Sequence, residues 1–288
     1  MTAWPAPAKL NLFLHVTGRR EDGYHELSTA FQFLDLSDRL FFEARADGGI
    51  RLLGDVPGVE PESNLVVRAA RLLAAEAGRV PGADIRLEKC IPLGGGLGGG
   101  SSDAATTLVA LNRIWRAGLD VERLAALALT LGADVPVFVR GSAAYAEGVG
   151  EKLVPQAFEE PWYVVLDPGV AVSTAAVFAA PELTRDGSRA TISRFSMGDE
   201  RNDCEPVVRK HYPEVARALD WLGGRGPARL TGTGGCLFGW YDRREQAEAI
   251  AAEVPAPWRA RVARGRNRSP LLDALAEYGE SRARDSAV

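Results

Sequence analysis

Six glycines fill the seven positions from Gly94 to Gly100, inside the run PLGGGLGGGSSDAA that spans Pro92 to Ala105. Glycine permits φ > 0 and lets main-chain N–H groups approach a ligand with no Cβ in the way. The run leads into a predicted helix, whose N-terminus adds unpaired N–H donors and the positive end of a dipole, so the pair forms an anion site. Ser101 or Ser102 is expected to cap that helix, with Asp103 as an acid in its first turn. Ala104, Leu108, Leu111 and Trp115 then recur at helical spacing. A flexible linker does not lead into an amphipathic helix, so the segment reads as a phosphate cradle.

What is missing narrows the kind of cradle. A Walker A loop places Lys and then Ser/Thr after its last glycine, whereas Gly100 is followed by Ser101 and Ser102. Gly94, Gly96 and Gly99 satisfy G-x-G-x-x-G, but so dense a run matches that pattern almost by accident. A dinucleotide site needs strand, helix, strand. Here a turn at Gly118 and a second helical stretch, 121–131, follow, with Asp120 as its N-cap. Protein-kinase signatures are absent.

Other elements must bring polar groups to such a cradle. From Lys9 to Val16, apolar Leu10, Leu12, Leu14 and Val16 alternate with Lys9, Asn11, Phe13 and His15. A period of two predicts a strand and puts Lys9 and Asn11 on one face. Taken alone, Lys9 is equally well read as an exposed edge residue. A second apolar segment runs from Leu27 to Leu36, and 41–53 reads as a hairpin turning at Asp47–Gly49. Asn64 is placed to cap a helix carrying Leu65, Ala69, Leu72 and Leu73, and Ile85–Cys90 reads as a strand entering the glycine loop. Gly132 suits the end of helix 121–131, and Pro136 holds Val135 extended. Asp134 is therefore expected between that helix and a strand, Pro136–Val139, with 143–148 as its hairpin partner. A polar, proline-bearing stretch at 154–161 divides the chain into domains at 1–155 and 156–288, the last ~20 residues returning to the first domain or fraying. In the second domain, Trp162–Leu166 is a strand, 173–178, 204–210, 213–222 and 244–254 are helical, and 181–197 is loop-rich. Arg229–Gly239 is a glycine turn entering a strand.

The chain has 288 residues, 46% hydrophobic and 25% charged, with a net charge of −4. That composition fits one large or two ordinary globular domains and argues against a broad nucleic-acid surface. The arginines between Arg259 and Arg268 read as a solvated face or an internal anion contact. Cys90, Cys204 and Cys236 are too far apart for a metal site and fit a reducing compartment, and no apolar run has membrane-spanning length, so a cytoplasmic soluble protein is expected.

AKLNLFLHV from Ala8, the glycine run, and LTGTGGCLFG from Leu230 together resemble the three motifs of the GHMP kinase superfamily of small-molecule kinases. AKLNLFL, DGYH at Asp22–His25, LGADVP at Leu131–Pro136 and FVRG at Phe138–Gly141 more specifically resemble the 4-diphosphocytidyl-2-C-methyl-D-erythritol kinases. The resemblance runs from Ala8 to about Leu272. It implies a two-domain α+β fold: an N-terminal ribosomal-protein-S5-domain-2-like ATP-binding domain and a C-terminal ferredoxin-like α/β sandwich. The implied activity is transfer of the γ-phosphate of ATP, with Mg²⁺, to the 2-hydroxyl of the cytidine-linked substrate in the non-mevalonate route to isoprenoid precursors. The implied partners are ATP and that small molecule, with no nucleic acid or membrane.

Carried over by resemblance, Asp134 would be the general base or orienting carboxylate, with Lys9 beside both it and the attacking hydroxyl. Asn11 would be a substrate hydrogen-bond partner. Pro92, Leu93, Gly94, Gly95, Gly96, Leu97, Gly98, Gly99, Gly100, Ser101 and Ser102 would hold ATP, and Asn64, Leu65 and Lys89 would border its adenine and ribose. Ser102 and Asp103 lie near enough to help place Mg²⁺, without an assignable ligand. Tyr24 and Phe178 would hold the cytosine, with His25 reading its polar edge and Thr174 nearby. The segment Thr174–Phe178 departs from the proline-bearing pattern common in those relatives. A homoserine or sugar kinase would leave Tyr24 and His25 without an obvious task. A non-catalytic ligand-binding relative would have lost Lys9 or Asp134.

Overall fold

The computed structural model describes residues 2–54, 56, 58–78, 82–187 and 201–285. The elements are β1 (Trp4–Arg19), β2 (His25–Arg45), β3 (Ile50–Leu53), α1 (Leu65–Glu76), β4 (Gly82–Glu88), α2 (Gly99–Ile114), α3 (Val121–Leu131), α4 (Val135–Arg140), β5 (Ala144–Gly148) and β6 (Lys152–Pro155). They continue with β7 (Trp162–Asp167), α5 (Thr174–Ala179), α6 (Glu205–His211), α7 (Pro213–Gly223), β8 (Ala228–Leu230), β9 (Leu237–Tyr241), α8 (Arg244–Ala252), β10 (Arg259–Arg266) and α9 (Pro270–Asp285).

β2 organises the sheet. One edge pairs antiparallel with β1 from Trp4↔Leu40 to Arg19↔His25. The other is shared in turn by β5, β10 and β4. The strand runs unbroken through Asp35–Arg39, joining the apolar segment 27–36 to the start of the 41–53 stretch. Asp38 is wholly buried there, and its carboxylate accepts the Cys90 and Ile91 N–H groups. The expected hairpin at 41–53 is not formed. β3 pairs parallel with β4, which inserts between β3 and β2, so the turn at Asp47–Gly49 is a crossover rather than a hairpin loop.

Three hydrophobic clusters pack on this sheet, the third joining Ala8, Leu10, Leu12 and Phe13 to Tyr163, Val165, Cys236 and Phe238. The first packs α1–α4 on β1, β2 and β4 and takes in Leu271 of α9, while the Tyr278 ring lies 5.1 Å from Trp4. The second packs α5–α7 on β7–β9 and reaches Leu14 and Val16 of β1. The sheet crosses between these two where Gly265 and Arg266 pair with Leu34 and Phe33. At that seam buried Gln32 accepts the Tyr163 hydroxyl (2.7 Å) and donates to Glu159 O (2.8 Å), filling both ends of its amide.

The expected strand at Pro136–Val139 is helix α4, and Val135 is its first helical residue rather than extended. The run VPVFV has high strand propensity, but proline is well tolerated in a helix's first turn, and burial of Val135, Val137 and Phe138 decides the conformation. β5, read as its hairpin partner, pairs instead with β2 and β6. Of the arginines of β10, Arg259 and Arg261 are exposed and Arg266 lies 3.9 Å from Asp35; just past the strand Arg268 meets Asp273 at 2.6 Å. Cys204 and Cys236 are buried and Cys90 is half-buried. No described helix is long and apolar enough to cross a membrane. Of the loop expected at 181–197, residues 188–197 lie outside the described residues.

Candidate active site

Lys9 and Asn11 share a face of β1, and register shifts lie immediately before Lys9 and after Asn11. Such bulges re-aim side chains. The Lys9 ammonium meets Asn11 Oδ1 at 2.5 Å, Gly96 O at 3.1 Å and Asp134 Oδ2 at 3.3 Å. An ammonium has three donors, so these three acceptors fix it in place. Lys9 is almost fully buried, whereas the Asp134 side chain keeps 36% exposure. The carboxylate can therefore meet a ligand while the ammonium behind it balances its charge. Asn11 gives Lys9 its oxygen and donates Nδ2 to Thr29 Oγ1 at 2.9 Å, so it holds Lys9 as well as lining the cavity.

The glycine loop arrives beside this pair. Lys9 N donates to Leu97 O at 2.9 Å, and Gly98 is the left-handed N-cap of α2 with φ 72°. Ser101 and Ser102, the expected caps, lie within the helix instead, and Asp103 falls beyond the first turn. A Cβ at Gly98 would come within 2.8 Å of Phe138 and 3.1 Å of Lys9 Cε. At Gly96 it would lie 2.3 Å from Thr231 O. Packing therefore demands these two glycines before any phosphate does. The N–H groups of Gly99, Gly100 and Ser101 open α2, where a helix supplies no acceptors of its own.

Thr231 belongs to the second glycine turn, which the structure brings onto the first. Thr231 Oγ1 accepts the Asn11 N–H at 3.0 Å, and Cys236 N donates to Gly95 O at 3.0 Å. Buried Asn202 clamps that turn by donating Nδ2 to Leu230 O (2.9 Å) and Gly232 O (2.7 Å). Asn202 was not found from sequence, because its partners lie 28 and 30 residues away and no local pattern marks it.

A cavity of about 750 Å³ joins these parts. Its lining includes Lys9, Asn11, Gly96, Gly98, Ser101 and Asp134 together with Tyr24, His25, Thr174 and Phe178. Tyr24 is 63% exposed and stands at the rim. The His25 and Phe178 rings stack with centroids 4.9 Å apart and planes within 20°. Thr174 Oγ1 lies 2.7 Å from Thr233 Oγ1, tying α5 to the second glycine turn. Arg185, also missed from sequence, donates Nε–H to His25 Nε2 at 3.2 Å. Burial, then the Arg185 and Arg19 guanidiniums, hold the His25 imidazole below its ordinary pKa.

Lys89, Asn64 and Leu65 lie outside that cavity lining. Lys89 sits between Asp38 (2.5 Å) and Asp103 (2.7 Å), and its ammonium is raised because these two carboxylates outweigh the opposing effect of burial. Burial pushes the Asp103 carboxyl up to about 7 even with Lys89 beside it. This group joins β2, the entry to the glycine loop and α2 through the Lys89 ammonium, which lies 3.3 Å from where a Cβ on Gly99 would stand. Asn64 Oδ1 caps α1 by accepting Val66 N–H at 2.9 Å. Leu65 Cδ1 would lie 3.7 Å from a Cβ on Gly100, close to the loop. Pro92 is half-buried and Leu93 53% exposed at the entry to the loop.

Residues 64–142 match the family model of the GHMP kinases N terminal domain, and residues 180–260 that of the GHMP kinases C terminal domain. The chain belongs to the GHMP kinase family, whose members are ATP-dependent kinases. The 4-diphosphocytidyl-2-C-methyl-D-erythritol kinase of Nitrosococcus oceani is 57% identical over 279 residues, covering 97% of this chain and 100% of its own. That of Halorhodospira halophila is 55% identical over 96% of this chain and 97% of its own. A crystal structure of 4-(cytidine 5'-diphospho)-2C-methyl-D-erythritol kinase superposes with a TM-score of 0.81 at 38% identity, covering 91% of this chain and 98% of that one. Within the family, the chain is therefore a member of the 4-diphosphocytidyl-2-C-methyl-D-erythritol kinase group. A mevalonate kinase structure shares the fold at a TM-score of 0.68 and 15% identity, covering 93% of this chain and 100% of its own.

Proposed function

We propose that this chain phosphorylates the 2-hydroxyl of 4-diphosphocytidyl-2-C-methyl-D-erythritol with ATP, in non-mevalonate isoprenoid precursor biosynthesis. The observation that carries the reading is one cavity holding the Lys9–Asp134 pair, the glycine-loop helix start and the aromatic group of Tyr24, His25 and Phe178. Phosphoryl transfer asks the protein chiefly for positioning and charge neutralisation. The substrate oxygen bonds to the γ-phosphorus while the bond from that phosphorus to the β–γ bridging oxygen breaks and ADP leaves. Asp134 takes the hydroxyl proton. Lys9, fixed by Asn11 and Gly96 O, offsets the negative charge gathering at the reacting oxygens.

The α2 N-terminus receives the ATP phosphates through backbone N–H groups. Mg²⁺ would supply charge neutralisation on the triphosphate. Ser101 lines the cavity, while Ser102 and Asp103 are buried, with Asp103 engaged by Lys89. No described cluster of three His, Cys, Asp or Glu residues is placed to hold a metal alone. The ion would thus depend on the triphosphate for much of its coordination. The division into domains at residue 155 is likewise a proposal, supported by the first and second cores lying mostly on either side of that boundary, with the third cluster joining the two halves.

At the other end of the substrate, aromatic faces give a flat base contact area, and hydrogen bonds give discrimination. His25→Ala is expected to weaken binding of the cytidine substrate by about tenfold or more, the worth of roughly 1.4 kcal/mol, while sparing ATP. Calorimetric titration of each ligand checks this, and an unchanged cytidine-ligand affinity would rule out the role of His25. The function itself is tested by incubating the protein with Mg·ATP and 4-diphosphocytidyl-2-C-methyl-D-erythritol and following phosphorus NMR. A new phosphomonoester appearing with ADP is expected. ATP binding without turnover would reject this substrate and leave the family assignment standing.

A further inference from the structure

We infer that Arg185 is a positioning residue for the base pocket, locking the two walls that face the cytidine end of the substrate. The inference rests on the proposed function. Arg185 touches both walls at once. Its Nε–H donates to His25 Nε2 at 3.2 Å, at the start of β2. Its Nη2 donates to Phe178 O (3.0 Å) and Ala180 O (2.7 Å) at the end of α5, and Nη1 to Leu183 O (3.1 Å) in the segment that follows. One rigid fork thus ties together three carbonyls in and beyond the last turn of α5, Ala180 O accepting from Leu183 N–H as well, and spans to the imidazole that stacks on Phe178. Lysine, a point donor on a flexible stem, cannot reproduce that set.

The same bond fixes the state of His25. A guanidinium only donates, so Nε2 must accept, and the ring is the neutral tautomer carrying its proton on Nδ1. Protonation would set a second cation against Arg185, with Arg19 also facing the ring. The folded imidazole titrates below its ordinary value, so this arrangement is complete above the usual histidine range and is lost as pH falls through the lowered pKa. His25 is thereby presented in one position and one protonation state at neutral pH. Arg185 does not itself line the cavity; it acts through His25 and α5.

The test uses the full chain as wild type, Arg185→Gln and Arg185→Lys, with CDP and ATP titrated separately by calorimetry and with steady-state kinetics. Both variants are expected to raise KM for the cytidine substrate and Kd for CDP by about tenfold or more, with ATP affinity within about twofold. A KM effect confined to one substrate is not what general unfolding produces. Long-range nitrogen-15 NMR of the wild type, with His25 assigned by its absence in His25→Ala, is expected to show the Nδ1–H tautomer. In Arg185→Gln its titration should move upward. The Nε2–H tautomer in the wild type, or CDP affinity unchanged in both variants, overturns the inference even if a variant folds poorly. If the wild type does not bind CDP at all, it is the base-pocket reading that fails, and the tautomer measurement still decides whether Arg185 holds His25.

Discussion

Asp134→Asn is expected to lower kcat by about 10²-fold or more, within the 10²–10⁴ range of general acid–base catalysis, while ATP affinity stays within about twofold. Asparagine keeps the size of the side chain and an acceptor oxygen that can face Lys9 and orient a hydroxyl. It cannot take the hydroxyl's proton. The substitution therefore separates proton acceptance from orientation, two tasks that the 3.3 Å contact with Lys9 leaves superimposed. The site should tolerate the exchange structurally, because the Asp134 side chain is 36% exposed and Lys9 retains Asn11 Oδ1 and Gly96 O as acceptors. Turnover with 4-diphosphocytidyl-2-C-methyl-D-erythritol and Mg·ATP gives kcat, and calorimetry gives ATP affinity. Near-normal turnover of the folded variant would mean that Asp134 only orients the hydroxyl and that the proton leaves by another route.

The parts of this site legible in the sequence were those written locally. The glycine run, the strand period that puts Lys9 and Asn11 on one face, and the Asn64 cap each depend on a few adjacent residues. Errors arose where tertiary packing outweighed local preference. VPVFVR reads as a strand by its β-branched residues and folds as a buried helix because that conformation sets Phe138 against Phe33, 5.7 Å between rings, beneath the glycine loop. The turn at Asp47–Gly49 was visible, but the insertion of β4 beside β2 was not, since pairing partners so far apart leave no periodic mark. Lys89 has partners that no local pattern marks. Its position next to the loop invites a nucleotide role, and only the folded chain reveals Asp38, 51 residues away, on its ammonium. Arg185 and Asn202 escaped notice because each acts on backbone carbonyls or a distant ring, chemistry that carries no residue signature.

The glycines of the loop separate packing from ligand approach, and a pair of substitutions makes the distinction measurable. Gly98→Ala combines a left-handed φ of 72° with a Cβ placed 2.8 Å from Phe138 and 3.1 Å from Lys9. Left-handed strain costs about 1–2 kcal/mol, and overpacking a well-filled core about 1–3 kcal/mol. Phe138 is fully buried and part of the first core, so it has little room to retreat, and any shift there also disturbs Lys9. A lower urea midpoint and a large loss of kcat are both expected. Gly100→Ala has the opposite setting. Gly100 lies in α2 without a left-handed φ, and its Cβ would meet only Leu65 Cδ1, at 3.7 Å. Alanine there should stabilise the helix by up to about 1 kcal/mol. If Gly100 serves close approach of its N–H to phosphate, ATP affinity falls in a protein that melts higher than the wild type. If ATP binds Gly100→Ala as tightly as before, that glycine has no role in ligand approach, and the phosphates rest on the N–H groups of its neighbours.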